Sequence, residues 1–264
     1  MPASRTSSAV SKHFGMRIPL IRAYDMSNIT LQLSTCPLPL TQATPLERNA
    51  KDTVAKALEM DIIFNRLRPG ERLIEDDLMA RFAQSRHRVR YAIDTLTRCG
   101  LAVRQANKGA HVCSYDHKQV IEIYKLRNIL QEAAANDIRF PVAPEIITRL
   151  LILNEAQTNA IARCDLEEVF HLNNQFHRTV FSCCGNQELC NAIQMQARRT
   201  DPIRTNSFKK PGYLAHAHKE HHEMIQALSD GDRATLIALN RIHIERPKST
   251  YIEKYLSNKD TPLS

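Results

Sequence analysis

The sequence predicts a mainly α protein, an N-terminal winged helix-turn-helix followed by an all-helical bundle of about six or seven helices. Three observations predict it. Residues 45–115 read in order as helix, helix, turn, helix and hairpin; residues 116–256 show helical periodicity interrupted at proline and glycine joints; and the 264 residues, with 7 Gly and 43% hydrophobic content, can bury two modest cores.

Val54, Leu58, Ile62 and Leu67 recur at spacings of four and five, predicting a first helix that runs to Arg68-Pro69-Gly70, which cannot continue it. Leu73-Ile74 is a short apolar pair after that turn. Glu75 to Phe82 predicts a second helix, with acids in the first turn, where the dipole favours them. Three residues later begins the stretch around which the chain is organised, Ser85 to Leu96. At about 100° per residue, Val89, Ala92, Ile93 and Leu96 fall on one stripe of a helix, and Arg86, His87, Arg90 and Tyr91 on the other. Ser85 suits an N-cap, so Arg86 and Arg88 crowd a first turn where cations are unfavourable unless an anion faces them. Such a helix suits end-on approach to phosphates and base edges, with a solvated amphipathic helix as the plainer alternative. Gly100 closes it, and residues 101–104 and 110–113 flank Gln105-Ala106-Asn107-Lys108-Gly109 as two strands around a turn, Lys108 and Gly109 lying at the wing tip.

Charge agrees with that reading without deciding it. The net charge is +8, and residues 45–115 hold 13 Lys+Arg against 9 Asp+Glu, a difference of +4. Arg81, Arg86, Arg88 and Arg90 follow one another with no acid between them. Residues 1–44, with Arg5, Lys12, Arg17 and Arg22 before the first acid at Asp25, read as a disordered basic tail, an organelle presequence being the alternative; residues 257–264 read as a C-terminal tail. Seven cysteines, an odd number with no C-x-x-C pair, indicate neither a disulfide framework nor a thiolate zinc site and suit a reducing cytoplasm. No apolar run approaches the roughly 20 residues that cross a bilayer, so no membrane partner is expected.

After the linker Ser114 to His117, helices are predicted from Val120 to before Pro141, from Pro144 to about Arg163, from Asp165 to Cys184, from Asn186 towards Pro211-Gly212, over about 213–228, and over 231–256. In the third of these Asn173 and His177 are four apart and share a face, with Asn174 beside them; His222 and His243 lie on the last two helices among apolar neighbours. Three imidazoles and an oxygen donor suit a divalent metal of the zinc, nickel or manganese type with positions left open. Spacing alone leaves two rivals standing, histidines satisfied within the core and a separate His218, His222 pair.

Residues 45–256 resemble the GntR superfamily, in the branch whose effector domain is named after FadR, the FCD group. The resemblance is carried by Leu67-Arg68-Pro69-Gly70-Glu71-Arg72-Leu73, Ser85 to Ile93, Gly100-Leu101, Asn107 to Val112, Leu126 to Gln131, Phe176-His177 through Gly185-Asn186, and His222 through Ala227-Leu228 and Gly231-Asp232 to His243. It implies a homodimeric DNA-binding repressor or activator, read here as a repressor, with a wing-bearing head over 45–115 and a ligand-binding and dimerisation domain over 116–256. It also implies a small organic acid effector beside a metal, with Asn173, His177, His222 and His243 at the ligand positions and Arg127 and Arg198 as candidate partners of the acid.

Two departures from the family pattern stand out. Asn173 offers a neutral carbonyl where the family places an acid, which lowers the expected metal affinity. Ala83-Gln84 replaces the usual Gly-Val of the helix-turn-helix, and a non-glycine at a left-handed position costs on the order of 1 kcal/mol. Gln131 also replaces a usual glutamate, and Asp76 stands where some members carry a DNA-contacting arginine. The resulting expectation is a dimer that sets two copies of Ser85, Arg86, His87, Arg88 and Arg90 on the major grooves of a pseudo-palindromic operator, with Lys108 and Gly109 in each wing. Two other classes remain, a three-histidine metal-dependent hydrolase and a constitutive DNA-binding protein with a vestigial pocket.

Overall fold

The computed structural model describes residues 50–255. The predicted tails at 1–44 and 257–264 lie outside the described residues. In chain order the elements are α1 (Ala50–Ile63), β1 (Arg72–Leu73), α2 (Glu75–Phe82), α3 (Arg86–Arg98), β2 (Ala102–Gln105), β3 (Gly109–Val112), α4 (His117–Asp137), α5 (Pro144–Ala162), α6 (Leu166–Ser182), α7 (Gln187–Asn206), a 3₁₀ turn at Ser207–Lys209, α8 (Tyr213–Asp230) and α9 (Arg233–Tyr255).

The head is a winged helix-turn-helix. Val89, Ala92, Ile93 and Leu96 of α3 meet Val54, Leu58 and Ile62 of α1 and Leu78 of α2 in one core. Burying a side chain of this size contributes roughly 1.5–3 kcal/mol, so the apolar stripe is what fixes α3 in place and leaves its arginine face outward. Ala83 occupies the left-handed region at φ 49°, and its N–H returns to the Met79 carbonyl, so the turn keeps its geometry without glycine. The first helix is shorter than the spacing predicts. Asn65, also left-handed at φ 58°, ends it; the Arg66 and Leu67 N–H groups then turn back to the Asp61 carbonyl, and Leu67 joins the core from the loop. The wing also gains a strand. Arg72 and Leu73 pair antiparallel with His111 and Ala110, giving a three-stranded sheet in the order β1-β3-β2.

Helices α4 to α9 form the bundle around Leu150, Phe176, Val180, Met224, Leu228 and Leu236. The head is docked on it through α1, whose other face places Met60 and Ile63 against Ile161, Val169, Phe170 and Leu214. Thr205 Oγ1 donates to the Ile63 carbonyl, and Asn65 Nδ2 donates to the Pro202 carbonyl at 3.3 Å. The helix that supports α3 from behind is therefore the same one that touches α7 of the bundle.

Candidate DNA-reading helix and ligand cavity

The face of α3 opposite its core stripe is solvent-facing, with Arg86, His87 and Arg90 all exposed. Ser85 takes the extended N-cap conformation and its carbonyl accepts from the Arg88 and Val89 N–H groups, but its hydroxyl makes no capping bond. The arginines are not free. Arg86 Nη2 lies 2.6 Å from Asp76 Oδ1, Arg90 Nε donates to Glu75 Oε2 at 2.9 Å, and Arg88 Nη1 donates to Gln84 Oε1 at 2.6 Å. Asp76 thus sits across the turn as counterion to the leading arginine. Arg81 has a different role from its neighbours in the sequence, since it pairs at 2.6 Å with the buried Asp61 and ties α2 to α1. Lys108 and Gly109 are exposed at the wing tip, where Asn107 and Gly109 both adopt positive φ.

Inside the bundle three histidines converge from three helices: His177 of α6, His221 of α8 and His243 of α9, with ligand atoms all within 4.8 Å of one another. His222 is not among them. A step of one residue rotates the side chain by about 100°, and on α8 it is His221 that shares the buried stripe of Ala217, His218, Met224, Ile225 and Leu228 while His222 is only half-buried on the flank. Of the rival pair, His218 contacts Thr158 Oγ1 at 3.2 Å, and burial, with His222 nearby, brings its pKa down to about 4.

The donors of the trio are pre-set. His243 Nδ1 is 2.8 Å from Glu220 Oε2 and His221 Nδ1 is 3.0 Å from Gln157 Oε1; with each Nδ1–H donating outward, both Nε2 lone pairs are left facing inward. His221 Nε2 is buried without a partner, and His177 Nε2 lies 3.1 Å from His243 Nε2. Two nitrogens about 2.1 Å from one ion and about 90–110° apart lie roughly 3.0–3.4 Å from each other, so this separation fits a shared ion. Desolvation and the neighbouring His243 hold the pKa of both His177 and His221 well below the ordinary imidazole value, which keeps their lone pairs available. Burial works against the charge of Glu220, but donors from His243 and Arg246 outweigh it and hold its carboxyl below the usual range. Asn173 is buried one turn before His177 with Nδ2 unpartnered.

Beside the trio opens a cavity of about 400 Å³, lined by His177 and His243 and also by Arg127, Arg198, Asp201 and Arg204. Arg127 is buried against the Tyr124 ring; its Nη1 donates to Thr200 Oγ1 at 2.8 Å, its Nε has no partner, and no carboxylate pairs with it among the described residues. Arg204 donates to Asp201 Oδ1 at 2.9 Å and to Asn174 Oδ1 at 2.7 Å. Burial lifts the Asp201 carboxyl to about 6. Arg198 stays at the exposed rim, 3.7 Å from Glu59 Oε1. Sequence reasoning missed Glu220, Asp201 and Arg204. Glu220 was detectable in principle, because a charged residue at 220 interrupts the stripe 213, 217, 224 and 228 of an otherwise apolar face.

Two family descriptions match the chain in succession, "Bacterial regulatory proteins, gntR family" over residues 50–112 and "FCD domain" over residues 122–246. The chain belongs to the GntR family, in its FCD branch. Relatives include the Nta operon transcriptional regulator of Aminobacter aminovorans, 24% identical over 205 residues that span 74% of this chain and 95% of the relative. The HTH-type transcriptional repressor RspR of Escherichia coli (strain K12) is 25% identical over 194 residues, 73% of this chain and 85% of RspR. Among solved structures, E. coli McbR/YncC shares the fold with a TM-score of 0.66 at 20% identity, covering 79% of this chain and all of that one. The chain is a DNA-binding transcriptional regulator, and its family consists of regulators rather than enzymes, which sets the hydrolase aside. No helix among the described residues is long and apolar enough to cross a membrane.

Proposed function

We propose that this GntR-family regulator binds a pseudo-palindromic operator as a homodimer in the cytoplasm, and that a small carboxylate in the bundle cavity controls the binding. Residues 45–115 make up the DNA-reading unit and 116–256 the ligand-binding and dimerisation unit. The observation that carries the reading is Arg127. A buried guanidinium with no carboxylate in ion-pair contact among the described residues, the nearby Asp201 being engaged by Arg204, is expensive, and an incoming carboxylate is the partner that compensates it. Arg198 at the rim offers a second cation.

His177, His221 and His243, with Asn173 as oxygen donor, would hold a divalent metal of the zinc, nickel or manganese type. Bound there, the ion supplies a Lewis-acidic contact for the carboxylate and a further positive charge. Glu220 and Gln157 orient the imidazoles, and Arg127 and Thr200 position the acid. Ser85, Arg86, His87, Arg88 and Arg90 face the duplex, with Lys108 and Gly109 along its backbone. A relative that carries the name repressor supports the same sign of regulation here.

Selection of bound duplex from a random DNA pool by the full chain, repeated with millimolar succinate, tests the reading. A selected palindromic consensus whose recovery changes with the acid is the expected result. Recovery left unchanged by succinate and, in parallel selections, by citrate and butyrate, or no enrichment at all, would defeat it.

A further inference from the structure

The ligand cavity is not confined to the bundle. Its wall includes Arg98 and Cys99, the last residue of α3 and its C-cap, so one helix offers Arg86 and Arg90 to DNA from its N-terminal half and a cavity wall at its last turn. The joint between the two bodies is close at this point. Gly100, at φ 72°, lies so near Arg199 that a Cβ there would stand 2.9 Å from Arg199 Cγ, and Arg198 Nη1 is 3.4 Å from Cys99 Sγ.

The charges of the cavity fall into two tiers. Five arginines line it, Arg98, Arg127, Arg178, Arg198 and Arg204, against the single carboxylate of Asp201. Arg127 and Arg204 are buried at the floor beside His177, and Asp201 accounts for Arg204. Arg98, Arg178 and Arg198 are exposed at the mouth. Arg198 has Glu59 at 3.7 Å, whereas Arg98 donates only to the neutral Thr95 Oγ1, and neither Arg98 nor Arg178 makes an ion pair among the described residues. One carboxylate on Arg127 satisfies the floor and leaves the mouth uncompensated. A monocarboxylic acid with an apolar tail would set that tail against guanidinium groups. A four- to six-carbon molecule with anions at both ends offers a carboxylate to each tier and fits within the volume of about 400 Å³.

Resting on the effector reading above, we infer that the ligand of this cavity is a small dianion or trianion that bridges the two domains, one carboxylate on Arg127 at the floor and another on Arg98 of the DNA-reading helix. The ligand then links α3 to the bundle directly, within one protomer. A ligand that contacts α3 in only one orientation of the head prefers that orientation, which is the differential affinity a switch requires.

Calorimetric titration of the full chain with succinate, glutarate, citrate and butyrate tests this, with Arg98→Ala and Arg127→Ala beside the wild type and melting curves as the check on folding. The best of the three polyanions binds wild type at least about tenfold more tightly than butyrate, the step of one charge-assisted contact. Arg98→Ala removes that preference and leaves butyrate affinity unchanged; Arg127→Ala weakens all four. Equal affinity for butyrate and the polyanions overturns the inference while leaving the carboxylate reading intact. A polyanion preference that survives Arg98→Ala overturns the bridge. Failure of all four acids to bind wild type overturns both.

Discussion

The arginines of this protein live in two opposite settings. On α3, Arg86 and Arg90 are exposed and each leans on an acid from the preceding helix, Asp76 or Glu75. In the bundle, Arg127 is buried and no carboxylate among the described residues forms an ion pair with it. An exposed pair is worth little to stability and can be opened by a competing phosphate, whereas a buried uncompensated cation is a standing demand for an anion. On the proposed function, the first arrangement restrains contacts that DNA must win, and the second prepares a site that a ligand completes.

Removing the charge at each place should separate the two settings. The largest effect is expected at the proposed metal site: His221→Ala should lower zinc or nickel affinity by more than about 100-fold, beyond the roughly 10–100-fold of a lost supporting residue, which is the range expected for Glu220→Gln. His222→Ala should leave it within about twofold, because its ring is not among the trio. Metal titration of the three variants decides, and a larger loss with His222→Ala than with His221→Ala would reinstate the sequence-level assignment.

In the head, Arg86→Ala or Arg90→Ala should weaken a selected duplex by about 10–100-fold while changing stability by less than about 1 kcal/mol. Unchanged anisotropy titrations at fixed salt would remove these side chains from the interface. Neutralising the acids instead, with Glu75→Gln and Asp76→Asn together, should raise affinity for random duplex by a few-fold and steepen its salt dependence by about one or two released ions.

The pH dependence of the cavity follows from Asp201. Its folded pKa is about 6, above the ordinary aspartate value, so its contribution to stability is present at low pH and is lost as pH rises through about 6. Asp201→Asn does not titrate, so the difference in unfolding free energy should move in the variant's favour by on the order of 1–3 kcal/mol between pH 4 and pH 7. Urea unfolding at the two pH values reads it; a gap independent of pH would contradict the placement of that carboxyl. The smallest effect is at the turn, where Ala83→Gly should stabilise by up to about 1 kcal/mol.

What could be read from the chain itself follows the same division. The apolar stripe of α3 and the left-handed turn at residue 83 are local properties, set by a period of about 3.6 residues and by one backbone angle, and both are where the sequence places them. The cavity depends on which helices meet. His221 and His222 are neighbours in sequence but about 100° apart in direction, and only the packing of α8 against α6 and α9 selects between them. The ion pairs from Glu75 and Asp76 to α3 span ten to fifteen residues across a turn whose angle no periodicity reports. Arg204 and Asp201 sit in a helix that contains Pro202, where the pattern offers no apolar stripe to mark them as inward.

The most direct test of the account is the DNA affinity of the full chain for its selected duplex, with and without a saturating polycarboxylate, in the wild type and in Arg127→Met. Coupling between two sites typically changes affinity by about 5–150-fold, and the wild type should shift within that range. Arg127→Met should bind the duplex as the wild type does and show no shift, with the ligand-free protein at least as stable because a buried unpaired charge is gone. A wild type that ignores the acid, or an Arg127→Met variant that still responds to it, would contradict the claim that the uncompensated arginine of the bundle governs the paired arginines of the head.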